Sequence, residues 1–306
     1  AQRRIQPFPE RIMGALLDAG LQPERFFAEY APHQFEIPLA PAVGIAAADR
    51  SVLLRVLVAE IARRQGLRAS FVPLLDPADA GNGVHIHLSL VDAASSPEGD
   101  GASLLYDAAA PAGLSELGAR FAAGILTHAR ALSALTAASP VSAARLTPHR
   151  WSAGAVCLAR QCREALLRIP PVVALAGAAA HRPGTEDPAA QLHLEYRGAD
   201  AAANPYLALA AIVRAGLEGV RRRLPAPPLL EGDPAQLQGA EAERFGVGAL
   251  PSTLAESLQA LADDHTVRGW FSPLMYEAYV SVKRAELAAT AELDLAEVCR
   301  RYAQIY

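Results

Sequence analysis

Gly81-Asn82-Gly83-Val84-His85-Ile86-His87-Leu88-Ser89-Leu90 is the stretch around which the chain is organised. Val84, Ile86, Leu88 and Leu90 alternate with His85, His87 and Ser89, a period of two that predicts a strand with unlike faces. The apolar face belongs to a core. The other face carries two imidazoles about 7 Å apart, given the strand rise per residue. Glycines lead in, so the backbone there can approach a ligand closely.

The same pattern recurs in Leu192-His193-Leu194-Glu195-Tyr196-Arg197 and, more briefly, in Gln34-Phe35-Glu36-Ile37. Each segment offers an apolar face and a face of His, Glu, Arg or Gln. If the strands share a sheet, their polar faces converge on a cavity. Carboxylates and imidazole suit a divalent cation there, and arginines suit anionic oxygens. The plainer reading is a set of half-exposed strands with solvated polar faces.

The 306 residues suffice for one large or two ordinary domains, and 52% hydrophobic against 20% charged residues predicts a folded chain. Net charge −4 and the absence of a basic stripe argue against nucleic acid as a main partner. Cys157, Cys162 and Cys299 have no metal-binding spacing, and their odd number fits a reducing, cytoplasmic setting. No apolar run is long and uncharged enough for a bilayer, so no membrane partner is expected. Ala1-Gln2-Arg3-Arg4 lacks the apolar core of a signal peptide.

Helical periodicity predicts helices over residues 9–19, 45–65 and 114–135. In the second, Leu53, Val56, Leu57 and Ile61 form the expected buried stripe. Asn204-Pro205, Thr253 with Glu256, and Ser272-Pro273 each open a further helix. Residues 68–74 read as a strand, 155–169 as a hairpin and 225–234 as irregular. No internal repeat or domain boundary stands out, so residues 1–306 are taken as one α+β domain of antiparallel strands with helices packed around them.

Four blocks carry a resemblance to the glutamine synthetase superfamily. Glu29-Tyr30-Ala31-Pro32-His33-Gln34-Phe35-Glu36 resembles that family's Glu-x-x-x-Gly-Gln-x-Glu. Residues 81–90 resemble its Gly-Ser-Gly-Met-His-x-His-x-Ser-Leu. Arg163 to Pro170 resembles Asn-Arg-x-Ala-x-x-Arg-x-Pro. Glu195-Tyr196-Arg197-Gly198-Ala199-Asp200, followed by Asn204-Pro205-Tyr206-Leu207, resembles Glu-Phe-Arg-x-x-Asp…Asn-Pro-Tyr-Leu. The blocks keep the family order and spacing.

The resemblance implies a catalytic domain with a curved antiparallel sheet flanked by helices, and an ATP-dependent ligase. Such enzymes phosphorylate the γ-carboxylate of glutamate, and ammonia or an amine then displaces phosphate. Mg²⁺ or Mn²⁺ supports the transfer. By motif position, Glu29, Glu36, His85 and Glu195 look like metal ligands, and His87 looks like a contact to the ATP phosphates, shared with Arg168. Arg163 and Arg168 would act on the transferring phosphoryl group. Arg145, Arg197 and Gly81 would form the carboxylate-substrate pocket. The family assembles as rings of six stacked in pairs, so the resemblance implies a homo-oligomer, a dodecamer in that arrangement.

This sequence departs from the family at several points. Family members carry an N-terminal β-grasp domain and a Glu-x-Glu strand, whereas only 28 residues precede Glu29. The β-grasp domain is therefore expected to be absent from this chain. Ammonia-using members place a glutamate six residues after the position of Arg145, where this chain has Trp151. An indole cannot take up an ammonium proton, and it offers apolar surface to an amine bearing carbon. His193 replaces a common arginine. The reading that follows is a ligase forming a γ-glutamyl amide, with Trp151 in the amine pocket. The alternatives are a glutamine synthetase using ammonia and a catalytically silent structural or regulatory member.

Overall fold

The computed structural model describes residues 5–94, 101–150, 152–172 and 187–306. Within them, β1 (Phe27–Ala28) and β2 (Phe35–Glu36) form a small antiparallel hairpin. His33 turns the chain between them at φ 60°, in the left-handed region, where the family pattern has glycine. The main sheet contains β3 (Ile86–Leu88), β4 (Ala155–Arg160), β5 (Ala165–Ile169), β6 (Leu194–Tyr196) and β7 (Leu229–Leu230), in the order β3-β6-β5-β4-β7.

Two expectations about strands need correction. The Glu36 strand does not join the sheet of the other two; β2 pairs with β1. The main sheet is mixed rather than antiparallel. β3–β6 and β5–β6 are antiparallel, but β4 pairs parallel with both β5 and β7, so residues 155–169 are not a hairpin. The physical reason lies in burial. Ala155 to Ala159 are all buried, and a strand buried on both faces shows no alternation from which its surroundings could be read. Leu229–Leu230, in the proline-rich stretch, adds the edge strand that was not expected.

The helices are α1 (Phe8–Asp18), α2 (Ala46–Arg64), α3 (Glu116–Thr127), α4 (Ala129–Thr136), α5 (Ser142–Arg145) and α6 (Pro188–Gln191). They continue with α7 (Pro205–Arg221), α8 (Gly239–Arg244), α9 (Leu254–Asp263), α10 (His265–Arg268), α11 (Pro273–Thr290) and α12 (Leu295–Tyr302). Asn204, Thr253 and Ser272 cap α7, α9 and α11 through side-chain oxygens, as their sequences predict.

The long helix expected over 114–135 is broken. His128 leaves helical dihedrals between α3 and α4, and its buried ring is held 2.6 Å from Asp264. The apolar stripe of α2 is also displaced. Val58 and Ala62 are buried, with Leu54, Leu57 and Ile61 packed beside them, whereas Leu53 and Val56 are exposed. Apolar residues fall on several sides of α2, so two stripes fit the same spacing. Among the described residues, 68–74 pair with no strand. Val72 and Leu74 pack against α12, and Ser70 donates to the Tyr306 carbonyl at 2.9 Å.

The principal core lies between the main sheet and α3, α4, α7 and α9. α3 and α7 approach closely because Gly124 and Gly219 lie backbone to backbone. A Cβ on Gly124 would fall 2.7 Å from the Gly219 nitrogen and overlap the Ala215 carbonyl. No described helix is long and apolar enough to cross a membrane.

Candidate active site

Glu195 is the centre of the site. It sits on β6, between β3 and β5, with His87 and Arg168 as its register partners. Its side chain is 2% exposed, and three groups converge on it. Arg168 donates from Nη1 to Oε2 at 2.8 Å. Arg197 donates from Nη1 to Oε1. His85 Nδ1 lies 3.4 Å from the same Oε1. Burial pushes the Glu195 carboxyl up, but Arg197, His85, His87 and Arg168 outweigh it and hold the group below the usual carboxylate range.

Arg197 is anchored from its other side, its Nε donating to the Arg163 carbonyl at 2.8 Å. Its Nη1 also stands 3.5 Å from His85 Nδ1. Burial, and then the neighbouring Arg197 charge, depress His85 to about 3, so the ring is neutral. His85 Nδ1 thus stands between the Arg197 guanidinium and the Glu195 carboxylate.

The glycine loop closes one side. Arg145 is 2% exposed and runs beneath it. Its Nη2 donates to the carbonyls of Gly198 at 3.3 Å and Ala199 at 2.9 Å. A Cβ on Gly81 would overlap the Arg145 stem, and one on Gly83 would come within 2.9 Å of Arg145 Nη1. The Cβ on Gly81 would also fall 2.7 Å from the Pro73 carbonyl oxygen, so that position requires glycine for close approach, whereas a side chain at 83 would displace the Arg145 guanidinium. Asn82 clamps the loop by donating to the Val72 carbonyl at 2.8 Å, and Gln34 donates to the Gly81 carbonyl at 2.9 Å. Gln34 thus ties the β1–β2 hairpin to the main site, although the two sheets are separate.

That tie explains why Glu29 and Glu36 stand near the rest. Glu36 opens to solvent on one side, yet the protein around it, the adjacent Glu29 and the more distant Glu195 hold its pKa up to about 7. Further along the same polar face, His87 Nδ1 lies 2.8 Å from His193 Nε2, and His193 Nδ1 lies 2.6 Å from the Gln191 carbonyl. A carbonyl can only accept, so we assign the proton to His193 Nδ1.

These residues fit a divalent cation by donor chemistry. When both are ionised, Glu29 and Glu36 would place like charges side by side that a cation would relieve, and oxygen donors suit Mg²⁺. The separation of His85 Nδ1 and Glu195 Oε1 matches two ligands sharing one ion at about 2 Å from each. Among the described residues, however, no three His, Cys, Asp or Glu side chains come together as a ready-made ligand set. Glu29 with Glu36 and His85 with Glu195 stand as two pairs.

The structure therefore brings Glu195, His85, Arg168 and Arg197 into contact, with Arg145 and Gly81 adjoining them. Arg163 is exposed, with its charge near that of Arg197. Trp151 lies outside the described residues. Gln34, Asn82 and Asp200 received no role from the sequence. Gln34 and Asp200 lie within the quoted motifs, and Asn82 sits between the two glycines, which is the signal that could have found them. Asp200 is buried beside Ser142 and near Arg145, and burial pushes its carboxyl up.

The family model described as "Glutamine synthetase, catalytic domain" matches residues 1–300. The chain is 39% identical over 283 residues to the gamma-glutamylpolyamine synthetase GlnA3 of Streptomyces coelicolor, covering 92% of this chain and 57% of that protein. It is 31% identical over 276 residues to the glutamine synthetase of Methanocaldococcus jannaschii, covering 90% of this chain and 56% of that protein. A crystal structure of a novel glutamine synthase homolog superposes with TM-score 0.86 at 42% identity, covering 100% of this chain and 65% of that one. The chain spans about half the length of the curated relatives it matches.

Proposed function

The chain belongs to the glutamine synthetase family through that family's catalytic domain, and from this premise we propose that it serves an ATP-dependent ligase joining the γ-carboxylate of glutamate to an amine. The γ-phosphoryl group of ATP passes to the carboxylate. The amine nitrogen then forms the C–N bond, phosphate leaves, and the amine gives up a proton. The observation that carries the reading is the convergence of His85, Arg168 and Arg197 on Glu195 beside the Gly81 loop. It joins a cation-binding carboxylate to fixed positive groups that can stabilise a phosphoryl group in transfer.

Residues 1–306 act in this reading as one catalytic domain. Glu29, Glu36, His85 and Glu195 hold Mg²⁺ or Mn²⁺, which supplies charge neutralisation at the phosphates. Arg163 and Arg168 face the transferring group, and His87 with Arg168 faces the ATP phosphates. Arg145, through Nη1 beneath Gly83, forms the acid pocket with Arg197 and the Gly81 backbone. The protein works as a homo-oligomeric ring in the cytoplasm.

The amine class follows from the relative named for polyamines and from Trp151, whose indole favours a carbon-bearing nucleophile over ammonium. Ammonia is the competing nucleophile, favoured by similarity to proteins named glutamine synthetase. Phosphate release by the full-length protein with glutamate, ATP and Mg²⁺ separates the two. We expect turnover with 1,4-diaminobutane to exceed that with ammonium at equal free-base concentration. Release with neither, while ATP still binds, would point to the silent member instead.

A further inference from the structure

Arg197 holds the two atoms that a metal ion would need. Its Nη1 donates to Glu195 Oε1 and stands 3.5 Å from His85 Nδ1. Those two acceptors lie 3.4 Å from each other. Both atoms therefore cluster around one cationic group. Arg168 differs, since it occupies the other oxygen, Oε2. Arg197 is only 3% exposed, so in this arrangement its charge is answered from within the protein.

We infer that Arg197 and a divalent cation are alternative partners of the His85–Glu195 pair, and that arrival of the cation hands the Arg197 guanidinium to the carboxylate of the acid substrate. The inference rests on the ligase reading, in which His85 and Glu195 ligate metal and Arg197 binds the acid. A buried guanidinium that loses its carboxylate is costly to leave without a counter-charge. Arg197 therefore gives up Glu195 readily only when a second carboxylate is present to receive its planar fork. Metal alone competes with Arg197, and acid alone competes with Glu195. Together each removes the other's competitor. Their affinities are then positively coupled, and linkage requires the coupling to be equal in both directions.

Calorimetric titration of the full-length protein with Mn²⁺ tests this without turnover. Replacing Arg197 by glutamine removes the competitor, so R197Q should bind Mn²⁺ at least about tenfold more tightly than wild type, within the usual range of coupling energies. Arg163 is a nearby exposed cation whose removal reports plain charge repulsion. R163Q should tighten Mn²⁺ by less than about threefold. In wild type, saturating glutamate should tighten Mn²⁺ by about tenfold, and R197Q should lose that linkage.

Equal or weaker Mn²⁺ binding in R197Q, or tightening in R163Q as large as in R197Q, overturns the exchange. If circular dichroism shows R197Q unfolded, the wild-type linkage decides, and independence of Mn²⁺ and glutamate overturns it. Failure of the ligase reading looks different. Mn²⁺ would then bind Glu195→Gln as tightly as wild type, removing the metal assignment and the exchange together. Weak binding in Glu195→Gln without tightening in R197Q removes the exchange alone.

Discussion

Arg168 and Glu195 are register partners on β5 and β6, and the guanidinium donates to the carboxylate at 2.8 Å. The contact is set by the ladder itself, so the charge is delivered on a rigid element rather than a loop. In the proposed ligase, such a group would act on charge that develops during transfer. Arg168→Ala should lower turnover roughly a hundredfold while changing ATP affinity little. It should also cost about 1–3 kcal/mol in stability, because Glu195 loses a partner where water cannot replace it. Steady-state kinetics and urea denaturation of the same variant check both. A rise in KM with turnover unchanged would mean ground-state binding instead.

The crossing of α3 and α7 is set by absent side chains. A methyl group on Gly124 meets backbone of α7, and backbone cannot rotate away as a side-chain tip can. Gly124→Ala should therefore push the helices apart and cost about 1–3 kcal/mol or more, despite the better helix propensity of alanine. The denaturation midpoint should fall with the slope unchanged. Gly14, whose Cβ would meet nothing within 4 Å on α1, is the control. Gly14→Ala should be neutral or stabilising by up to about 1 kcal/mol.

The sequence made the site more legible than the sheet. His85, Glu195 and Arg197 declare themselves because charged groups stand at period two between Ile86, Leu194 and Tyr196, which pack in the core. Arg168 is found only by motif, since β5 is too buried to alternate. The parallel sense of β4 and β5 was not legible for the same reason. Nor was the separation of β2 from the main sheet, because a two-residue strand carries no information about its partner. Gln34 bridges that separation by a hydrogen bond to Gly81, 47 residues on, which no local pattern encodes. The break at His128 depends on Asp264, 136 residues away.

Cys157 gives the fold an alkaline limit. The side chain is buried on β4, and burial first, then the neighbouring Cys162, pushes its thiol up to about 12. An unfolded cysteine ionises near pH 8.5. Below that pH the folded and unfolded thiols are both protonated, and the contribution to stability is fully present. As pH rises from about 8.5 towards 12, only the unfolded form loses its proton, so folding becomes less favourable. Wild type should lose on the order of 2 kcal/mol more than Cys157→Ala between about pH 8.5 and 10.5. Urea denaturation across that range measures the difference in slope. Parallel slopes would show that the thiol is accessible to solvent in the fold.

In the proposed ligase, the nucleophile is where this chain is expected to differ most from the ammonia-using pattern. Six residues beyond Arg145 it carries Trp151 rather than a carboxylate. If Trp151 lines the amine pocket as proposed, the absence of that negative charge makes bringing a cation into it costlier. Ammonium gains from an indole only a cation–π contact, worth about 0.5–2 kcal/mol. An alkyl amine also buries its carbon, at about 0.8 kcal/mol per methylene. With a few methylenes the second gain exceeds the first. Trp151→Glu should therefore reverse or narrow the preference, raising phosphate release with ammonium relative to 1,4-diaminobutane by about tenfold or more, the equivalent of roughly 1.4 kcal/mol. Trp151→Phe, which keeps the apolar surface, should retain the wild-type order. Phosphate release with both nucleophiles in the full-length protein measures the ratio. An unchanged ratio in Trp151→Glu would remove Trp151 from the amine pocket.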